Sequence, residues 1–255
     1  MDLSTVTYPA LIPNVPEHVY HGELTADKGW FSSSLAKRAE KSCWRAAMRP
    51  TYATAAMIFG QCVHAFIDAK KKGRGIVGYY PADGKPDPAR GNKLPKADFA
   101  RAERCAEAVL TDPASRAWVD GAVETELTAL WTLDGVNNKA KLDLLNGLTI
   151  VDVKTTSSVE GDDFPCQANR LRYDLNSAQY LSGPFGFNRY VFIAVESDGD
   201  HDVRIYEYDQ ESLAAASKRL SELRSQFKRC LETRDWPSYP REVTVMRSWR
   251  AGRSS

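Results

Sequence analysis

The fold is decided by the segment Lys141-Leu142-Asp143-Leu144-Leu145-Asn146-Gly147-Leu148-Thr149-Ile150-Val151-Asp152-Val153-Lys154-Thr155-Thr156. Two apolar stretches flank Asn146-Gly147, and an Asn-Gly pair between such stretches is the strongest short-range signal for a β-hairpin. The sequence therefore predicts strands over 139–145 and 148–155 with a two-residue turn between them. In this register Leu145 faces Leu148.

The predicted hairpin brings charged side chains together. It puts Asp143 opposite Ile150, and Asp152 and Lys154 share the Ile150 face because strand side chains alternate. Asp143 and Asp152 then become diagonal neighbours, about 7–8 Å apart at the backbone. Two carboxylates this close repel each other unless a cation lies between them, and a hard ion such as Mg²⁺ prefers oxygen ligands. Lys154 could orient or help deprotonate a metal-activated water, or stabilise charge in a phosphoryl-transfer transition state.

A simpler interpretation of the same charges is a surface ion pair on a half-exposed hairpin. The strand that carries Asp152 and Lys154 is otherwise apolar, and this argues against that interpretation. Unpaired charge within a buried sheet is costly, so charges kept there indicate a function.

The composition is that of an ordinary globular protein. The chain has 255 residues, of which 43% are hydrophobic and 26% charged, and a formal net charge of +1. No apolar run approaches the ~18 residues of a membrane span, so no membrane association is expected. The N-terminus lacks a signal-peptide pattern, and the five cysteines are scattered without CxxC spacing. We expect a protein of a reducing cytoplasm.

The remaining periodicity predicts one α/β domain over 31–240, an extended or looped arm over 1–30 and a basic tail over 241–255. Helices are predicted over 33–48, 54–72, 96–110, 172–181 and 211–233; further strands over 123–133, 190–196 and 203–208; a turn over 134–138; and loops over 73–94 and 160–168. Basic stretches at 37–49 and 218–253 could contact phosphates or form solvated helix faces.

An ordered set of motifs resembles the PD-(D/E)xK nucleases, and more narrowly the exodeoxyribonuclease VIII (RecE-like) nucleases of phages and prophages. The matching elements are Ser33-Ser34-Leu35 leading to Cys43, Phe59-Gly60 with His64, Glu126 ahead of Trp131, Lys141-Leu142-Asp143, Ile150 to Thr156, Tyr173, and Asp235-Trp236-Pro237. The Asp-Val-Lys-Thr-Thr run is the most specific of them. The resemblance implies an α/β restriction-endonuclease-like core, a central mixed sheet with an antiparallel meander flanked by helices.

The resemblance also implies roles for individual residues. Metal ligands would be His64, Glu126, Asp143, Asp152 and the carbonyl of Val153, and Lys154 would be the catalytic lysine. The catalytic set would be Lys154 with Asp143, Asp152 and Glu126. Glu124 could replace Glu126, since both lie on one strand face, although the spacing to Trp131 favours Glu126. His64 could instead be a histidine packed on a helix.

A helix after the hairpin would contact DNA by the same resemblance. Tyr173, Asn176 and Tyr180 fall at i, i+3 and i+7 on one helix face. The family usually carries Gln where Asn176 stands, so the contact has a shorter reach here, while Gln179 is expected to point elsewhere. Tyr180 could also simply pack in the core. Lys41 and Arg45 are further candidate DNA contacts, from charge alone.

The predicted function is a Mg²⁺-dependent exodeoxyribonuclease on the ends of linear double-stranded DNA, with Mn²⁺ able to substitute. The resemblance implies 5′-to-3′ digestion, a single-strand annealing protein as partner, a role in phage-type recombination in the cytoplasm of a bacterial host cell, and a ring-shaped homo-oligomer. Neither an iron–sulfur cluster nor ATP is expected, because Cys43 has only Cys166 and Cys230 downstream and a Walker A motif is missing. The alternatives are an endonuclease of the same fold, a silent DNA-binding or assembly protein, and a structural phage protein with a chance match.

Overall fold

The computed structural model describes residues 6–82 and 93–242. The helices are α1 (Glu17–Gly22), α2 (Ser33–Lys41), α3 (Trp44–Ala47), α4 (Ala55–Lys71), α5 (Lys96–Thr111), α6 (Pro113–Asp120), α7 (Asp163–Arg170), α8 (Tyr173–Leu181) and α9 (Gln210–Thr233). The strands are β1 (Ala10–Pro13), β2 (Trp30–Phe31), β3 (Tyr80–Ala82), β4 (Lys93–Pro95), β5 (Glu124–Leu133), β6 (Val136–Asn146), β7 (Thr149–Thr156), β8 (Arg189–Glu196) and β9 (Val203–Tyr206). None of the helices in these residues is long and apolar enough to cross a bilayer.

Seven strands form one mostly antiparallel sheet in the order β1-β5-β6-β7-β8-β9, with β2 beside β6. Within this sheet, as described, the parallel pairs are β7–β8 and β2–β6. Strands β3 and β4 form a separate parallel pair. The α7–α8 segment connects β7 to β8, as a crossover between parallel strands requires. The central mixed sheet with an antiparallel meander is therefore present.

Helices cover both faces of the sheet. On one face α4, α5 and α6 pack their apolar side chains against β7 and β8, through residues such as Val63 and Val151. On the other face the sheet packs against α7 and α8, with Phe164 and Phe192 in the same cluster. Helices α2, α3 and α9 then pack around the end of α8. The predicted hairpin thus lies between two layers of helices, where charged groups need partners.

The hairpin register differs from the prediction by two residues. Asn146 pairs with Thr149 and Leu145 with Ile150, so the loop is Gly147-Leu148 and Leu145 does not face Leu148. Gly147 has a φ of 59°, which suits a glycine at the first position of a two-residue loop. A shift of two residues leaves every side chain on its predicted face. It also brings Asp143 level with Asp152, instead of opposite Ile150.

Strands β6 and β7 separate soon after the loop. Their pairing ends at Leu144–Val151, while β7 continues along β8 as far as Thr156. We call this point the β6–β7 fork. Asp143 is the first residue of β6 on the open side of the fork, and Asp152 is the corresponding residue of β7. Side chains that enter the fork can reach backbone groups that a continuous sheet would have paired.

Several predicted elements need correction. Within the predicted extended or looped arm, the described residues 6–30 contain regular structure, because β1 pairs with β5 and α1 buries Val19 and Tyr20. The helix predicted over 33–48 is interrupted at Ser42, and 160–168 contains most of α7. The turn predicted over 134–138 shrinks to Asp134-Gly135, whose φ values of 55° and 74° allow a tight hairpin.

Short strands and one further helix were also missed. The predicted loop over 73–94 contains β3 and enters β4, and α6 follows α5 with Asp112 as its N-cap. The helices over 54–72, 96–110, 172–181 and 211–233 are confirmed to within two residues. Most of the basic tail, from residue 243, lies outside the described residues.

Candidate metal and catalytic site

The β6–β7 fork holds a carboxylate and an imidazole between the separated strands. Asp143 Oδ2 accepts a hydrogen bond from the backbone N–H of Val153 at 3.1 Å, so the carboxylate replaces a missing strand partner. His64 Nδ1 lies 3.3 Å from Asp143 Oδ1, and His64 Nε2 donates to the Val153 carbonyl at 2.8 Å. His64 reaches this point from the middle of α4, whose neighbouring residues Val63 and Ile67 are buried against the sheet. Packing of α4 therefore fixes the imidazole.

Glu126 joins this group from β5. It has a φ of 54°, although its neighbours Thr125 and Leu127 remain paired with β6. The left-handed region costs a non-glycine residue about 1–2 kcal/mol, so the strand is locally strained where it presents this side chain. Lys141 Nζ lies 2.9 Å from Glu126 Oε2 and also pairs with Glu17 of α1.

The site residues fit a divalent cation. One ligand atom each from His64, Glu126 and Asp143 lies within 4.8 Å of the other two. Carboxylate oxygens with an imidazole nitrogen are a donor set that suits Mg²⁺, Mn²⁺ and other first-row divalent ions. The Val153 carbonyl faces the same group through its hydrogen bond to His64. Glu124, the alternative to Glu126, is exposed on β5 and is not part of this group.

The charges of His64 and Asp143 stabilise each other. Burial alone would lower the pKa of His64, but the Asp143 carboxylate outweighs it and raises that pKa to about 9. Burial likewise opposes ionisation of Asp143, yet His64 and Lys154 hold the pKa of Asp143 well below its usual range. Without a metal, therefore, the pair is an imidazolium and a carboxylate at neutral pH.

Asp152 and Lys154 form the second half of the site. Asp152 is 5% exposed, and its Oδ2 accepts a hydrogen bond from the Tyr190 hydroxyl at 2.8 Å. Its Oδ1 accepts one from Lys154 Nζ. Burial and the neighbouring Asp143 raise the pKa of Asp152 to about 6 against the opposing effect of Lys154. Burial would lower the pKa of Lys154, but both aspartates raise it above its ordinary value.

Asp152 is also a predicted metal ligand, but its side chain has different hydrogen-bond partners from those of the other predicted ligands. His64, Glu126 and Asp143 form the compact group, whereas both oxygens of Asp152 bind Lys154 and Tyr190. Its carboxyl still interacts directly with that of Asp143. Asp152 thus connects the metal-binding group to the lysine.

The candidate DNA-binding helix α8 lies beside Lys154, and its three candidate residues have different surroundings. The Tyr173 ring stacks on Phe192 at a centroid distance of 5.7 Å, and Lys154 Nζ lies 5.6 Å from its centre. Tyr180 packs edge-on against Tyr190 at 5.6 Å. Asn176 is 8% exposed, and in the described part of the chain its Oδ1 has no hydrogen-bond partner. Asn176 is therefore not on the open surface.

The remaining candidates are divided between surface and core. Lys41 at the end of α2 and Arg45 in α3 are both exposed. Gln179 is fully buried and binds Asn138 and Arg224, so it does point away from the site.

Sequence reasoning missed Tyr190 altogether. Tyr190 sits on β8 and reaches Asp152 because β8 runs parallel to β7, with Ile150 beside Tyr190. That pairing crosses α7 and α8, and the local pattern contains no signal of it. The Glu126–Lys141 ion pair was missed for a similar reason, since the hairpin pattern does not predict the positive φ of Glu126.

Comparison with known proteins identifies the family. A family model described as "PDDEXK-like domain of unknown function (DUF3799)" matches residues 32–248. The chain belongs to this family. The predicted PD-(D/E)xK fold class is confirmed.

A solved structure agrees with the fold of the PDDEXK-like domain. A crystal structure from Eubacterium rectale, named "Putative exonuclease", superposes with a TM-score of 0.67 and 18% sequence identity, covering 93% of this chain and 97% of its own. Protein VC1899 from Vibrio cholerae is 11% identical over 88% of this chain and 58% of its own, with a TM-score of 0.21 that carries no argument. No curated protein matches the sequence.

Proposed function

We propose that this protein is a Mg²⁺-dependent deoxyribonuclease that hydrolyses phosphodiester bonds from the ends of linear double-stranded DNA. One observation carries the proposal: Asp143 and Asp152 meet at the β6–β7 fork, with His64 bound to the first and Lys154 to the second. Three carboxylates, those of Asp143, Asp152 and Glu126, meet here. A histidine that binds a metal is neutral, so with His64 as a ligand these acids outnumber the ammonium groups of Lys154 and Lys141. A divalent cation would offset that negative charge.

His64, Glu126, Asp143 and the Val153 carbonyl would hold the cation, and Asp152 would complete the set by turning one oxygen from Lys154. When bound, such an ion lowers the pKa of a coordinated water and neutralises charge on the scissile phosphate. Lys154 has a raised pKa and stays protonated beside Asp152. As an ammonium group it would act as a cation and hydrogen-bond donor that orients the attacking water or the phosphate. Tyr190 fixes Asp152 from the opposite side.

The family and the fold support a nuclease, and the finer parts of the proposal rest on the ordered motifs. These parts are exonuclease action, 5′-to-3′ direction, a 3′ single strand as product, a single-strand annealing protein as partner, phage-type recombination, and a ring of subunits. The neighbour named "Putative exonuclease" is compatible with the first of them. Retention of Asp143, Asp152 and Lys154 together favours a working enzyme over a silent DNA-binding protein.

The test compares linear duplex DNA, labelled at the 5′ or the 3′ end, with closed circular DNA. Each substrate is incubated with Mg²⁺, with Mn²⁺ and with EDTA. Early release of the 5′ label, resistance of the circle and full inhibition by EDTA are the expected results. The growth of a 3′ single strand, followed with a single-strand-specific probe, checks the direction independently.

Other outcomes would each change the proposal in a defined way. Cutting of the circle would replace the exonuclease by an endonuclease of the same fold. Early release of the 3′ label would reverse the direction. DNA binding without cleavage under any metal condition would overturn the enzyme and leave a silent DNA-binding or assembly protein. A folded protein that neither binds DNA nor cuts it would leave the structural alternative.

A further inference from the structure

A second lysine approaches the catalytic lysine from a different part of the chain. Lys37 lies in the middle of α2, and its Nζ is 5.5 Å from the centre of the Tyr173 ring. Lys154 Nζ lies 5.6 Å from the same centre. The hairpin motif contains Lys154 alone, whereas Lys37 comes to the site because α2 packs on α8 through Leu35 and Leu175.

Lys37 has no carboxylate of its own in the described part of the chain. Asp152 and Asp174 are close enough to attract its charge. Asp152, however, is bound by Lys154 and Tyr190, and Asp174 by Arg172 at 3.0 Å. Among residues 6–82 and 93–242, no carboxylate lies within ion-pair distance of Lys37, although its side chain is half-buried.

Holding two ammonium groups at one aromatic ring is electrostatically unfavourable without an anion. Burial lowers the pKa of Lys37 to about 8, and repulsion from Lys154 adds to this effect. The Tyr173 ring attracts each ammonium only weakly, and one side of the ring is occupied by Phe192. A phosphate between or beside the two lysines would relieve this repulsion, because its oxygens accept charge-assisted hydrogen bonds from both ammonium groups.

The positions of Lys37 and Lys41 along α2 indicate the path that a DNA strand bound at the site would follow. Lys41 follows it by four residues, so the two lie on neighbouring turns of one helix face. Lys37 is half-buried beside the site and Lys41 is exposed. Phosphates follow one another along a DNA strand at about 3.4 Å of helix rise, so a strand leaving Lys154 can meet Lys37 and then Lys41.

We propose that Lys37 binds the phosphate adjacent to the one that is hydrolysed, with Tyr173 as the common support of Lys37 and Lys154. This inference rests on the proposed function, because it assumes that a DNA strand enters the β6–β7 fork. It assigns to α2 a substrate contact that places the scissile phosphate. Lys37 is accordingly a residue that determines the register of the DNA strand.

The test combines a charge-removing variant with charge-removing DNA. Lys37→Gln, Lys37→Arg and wild type are compared in single-turnover cleavage with Mg²⁺, on duplexes that carry one neutral methylphosphonate at successive positions near the end. For wild type, one position adjacent to the cut should slow cleavage by about tenfold or more. On unmodified DNA, Lys37→Gln should cleave more slowly than wild type by a similar factor. Placing the methylphosphonate at that same position should then slow cleavage by Lys37→Gln less than about twofold. Lys37→Arg should stay close to wild type.

The control variant is Lys70→Gln. Lys70 is a lysine near the end of α4 that pairs with exposed Glu107, so its loss removes one charge away from the site. It should cleave like wild type, and thermal unfolding of each variant checks that the fold is intact. A Lys37→Gln protein that cleaves at the wild-type rate would overturn the inference. So would a Lys37→Gln protein that remains as sensitive as wild type to every neutral phosphate.

A binding measurement separates failure of this inference from failure of the proposed function. DNA binding is followed by fluorescence anisotropy in Ca²⁺ at several salt concentrations. If wild type cleaves DNA and Lys37→Gln cleaves and binds it equally well, the inference about Lys37 is wrong and the proposed function stands. If wild type binds DNA without cleaving it, the proposed nuclease activity is wrong. In that case the phosphate contact would still be supported if the slope of log binding constant against log salt concentration is smaller by about one in Lys37→Gln. If wild type does not bind DNA, both are wrong.

Discussion

The Asp143 carboxylate accepts a hydrogen bond from the backbone N–H of Val153 at 3.1 Å, across the point where their two strands separate. An aspartate side chain thereby satisfies a backbone donor that sheet pairing has released. The same separation leaves the Val153 carbonyl free to accept from His64. The defect in the sheet and the proposed metal site are consequently one feature, because the acid that repairs the sheet is also the acid that would bind the cation.

The pairing of His64 with Asp143 predicts a pH dependence of stability in the metal-free protein. The pKa of His64 is about 9 in the fold and 6.5 for an unperturbed histidine, so its protonated form stabilises the fold. This contribution is complete below about pH 6.5 and is lost as the pH rises through 9. We expect the free energy of unfolding in EDTA to fall by up to about 3 kcal/mol between pH 6 and pH 10. Urea unfolding at several pH values measures it.

The matched control for this prediction is His64→Gln, which removes the titrating group and keeps a side chain that can hydrogen-bond. This variant should be less stable at pH 6 and should show a much flatter dependence towards pH 10. An equal fall in wild type and variant would mean that His64 is neutral in the fold.

The strained backbone of Glu126 predicts a difference between two truncations. Glu126→Ala and Glu126→Gly both remove the carboxylate, but only glycine adopts a φ of 54° without cost. The glycine variant should therefore be more stable than the alanine variant by about 1 kcal/mol, although glycine normally destabilises a strand. Chemical unfolding of the two proteins gives the difference. Alanine at least as stable as glycine would show that Glu126 is not strained.

Both variants should lose affinity for the metal to the same extent, because the ligand is missing in each. Titration calorimetry with Mn²⁺ measures this loss beside wild type. Unchanged affinity in both would remove Glu126 from the proposed ligands.

The hairpin could be predicted from sequence because its signals are local. Asn146-Gly147 predicts the reversal of the chain, and the alternation around Asp152 and Lys154 fixes which side chains share a face. The exact register could not be predicted, since Gly147 suits either position of a two-residue loop. The two-residue error did not affect the chemistry, because it preserved the faces of the strands.

The surroundings of the site depend on contacts between distant segments. Lys37 and Tyr190 reach the site through packing of α2 on α8 and of β8 on β7, neither of which leaves a local pattern. The N-terminal segment shows the same limit. It was predicted as an extended or looped arm, and its pairing with β5 at the edge of the sheet, which makes β1 a strand, is a contact between distant segments.

A buried polar network holds α8 and α9 to β6, and it predicts a large loss of stability on mutation. Arg224 is 3% exposed and donates to Asn138 and Gln179 at 3.1 and 3.2 Å. Arg224→Met would leave the buried Gln179 carbonyl without its donor, which costs about 2–3 kcal/mol. Urea unfolding measures the change.

Arg229→Met is the matched control for that measurement, because Arg229 is exposed on the same helix. It should change the free energy of unfolding by no more than about 0.5 kcal/mol. Equal effects of the two substitutions would show that the network does not stabilise the fold.

The central claim is that Asp143, Asp152 and Lys154 form a metal-dependent nuclease site, and single-turnover cleavage of linear duplex DNA tests it most directly. Wild type is compared with Asp152→Asn and Lys154→Gln, with Mg²⁺ or EDTA, and the folding of each protein is checked by circular dichroism. We expect cleavage by wild type with Mg²⁺ only, and a loss of at least about 100-fold in each variant. Cleavage that persists in EDTA, or in folded variants at the wild-type rate, would contradict the account.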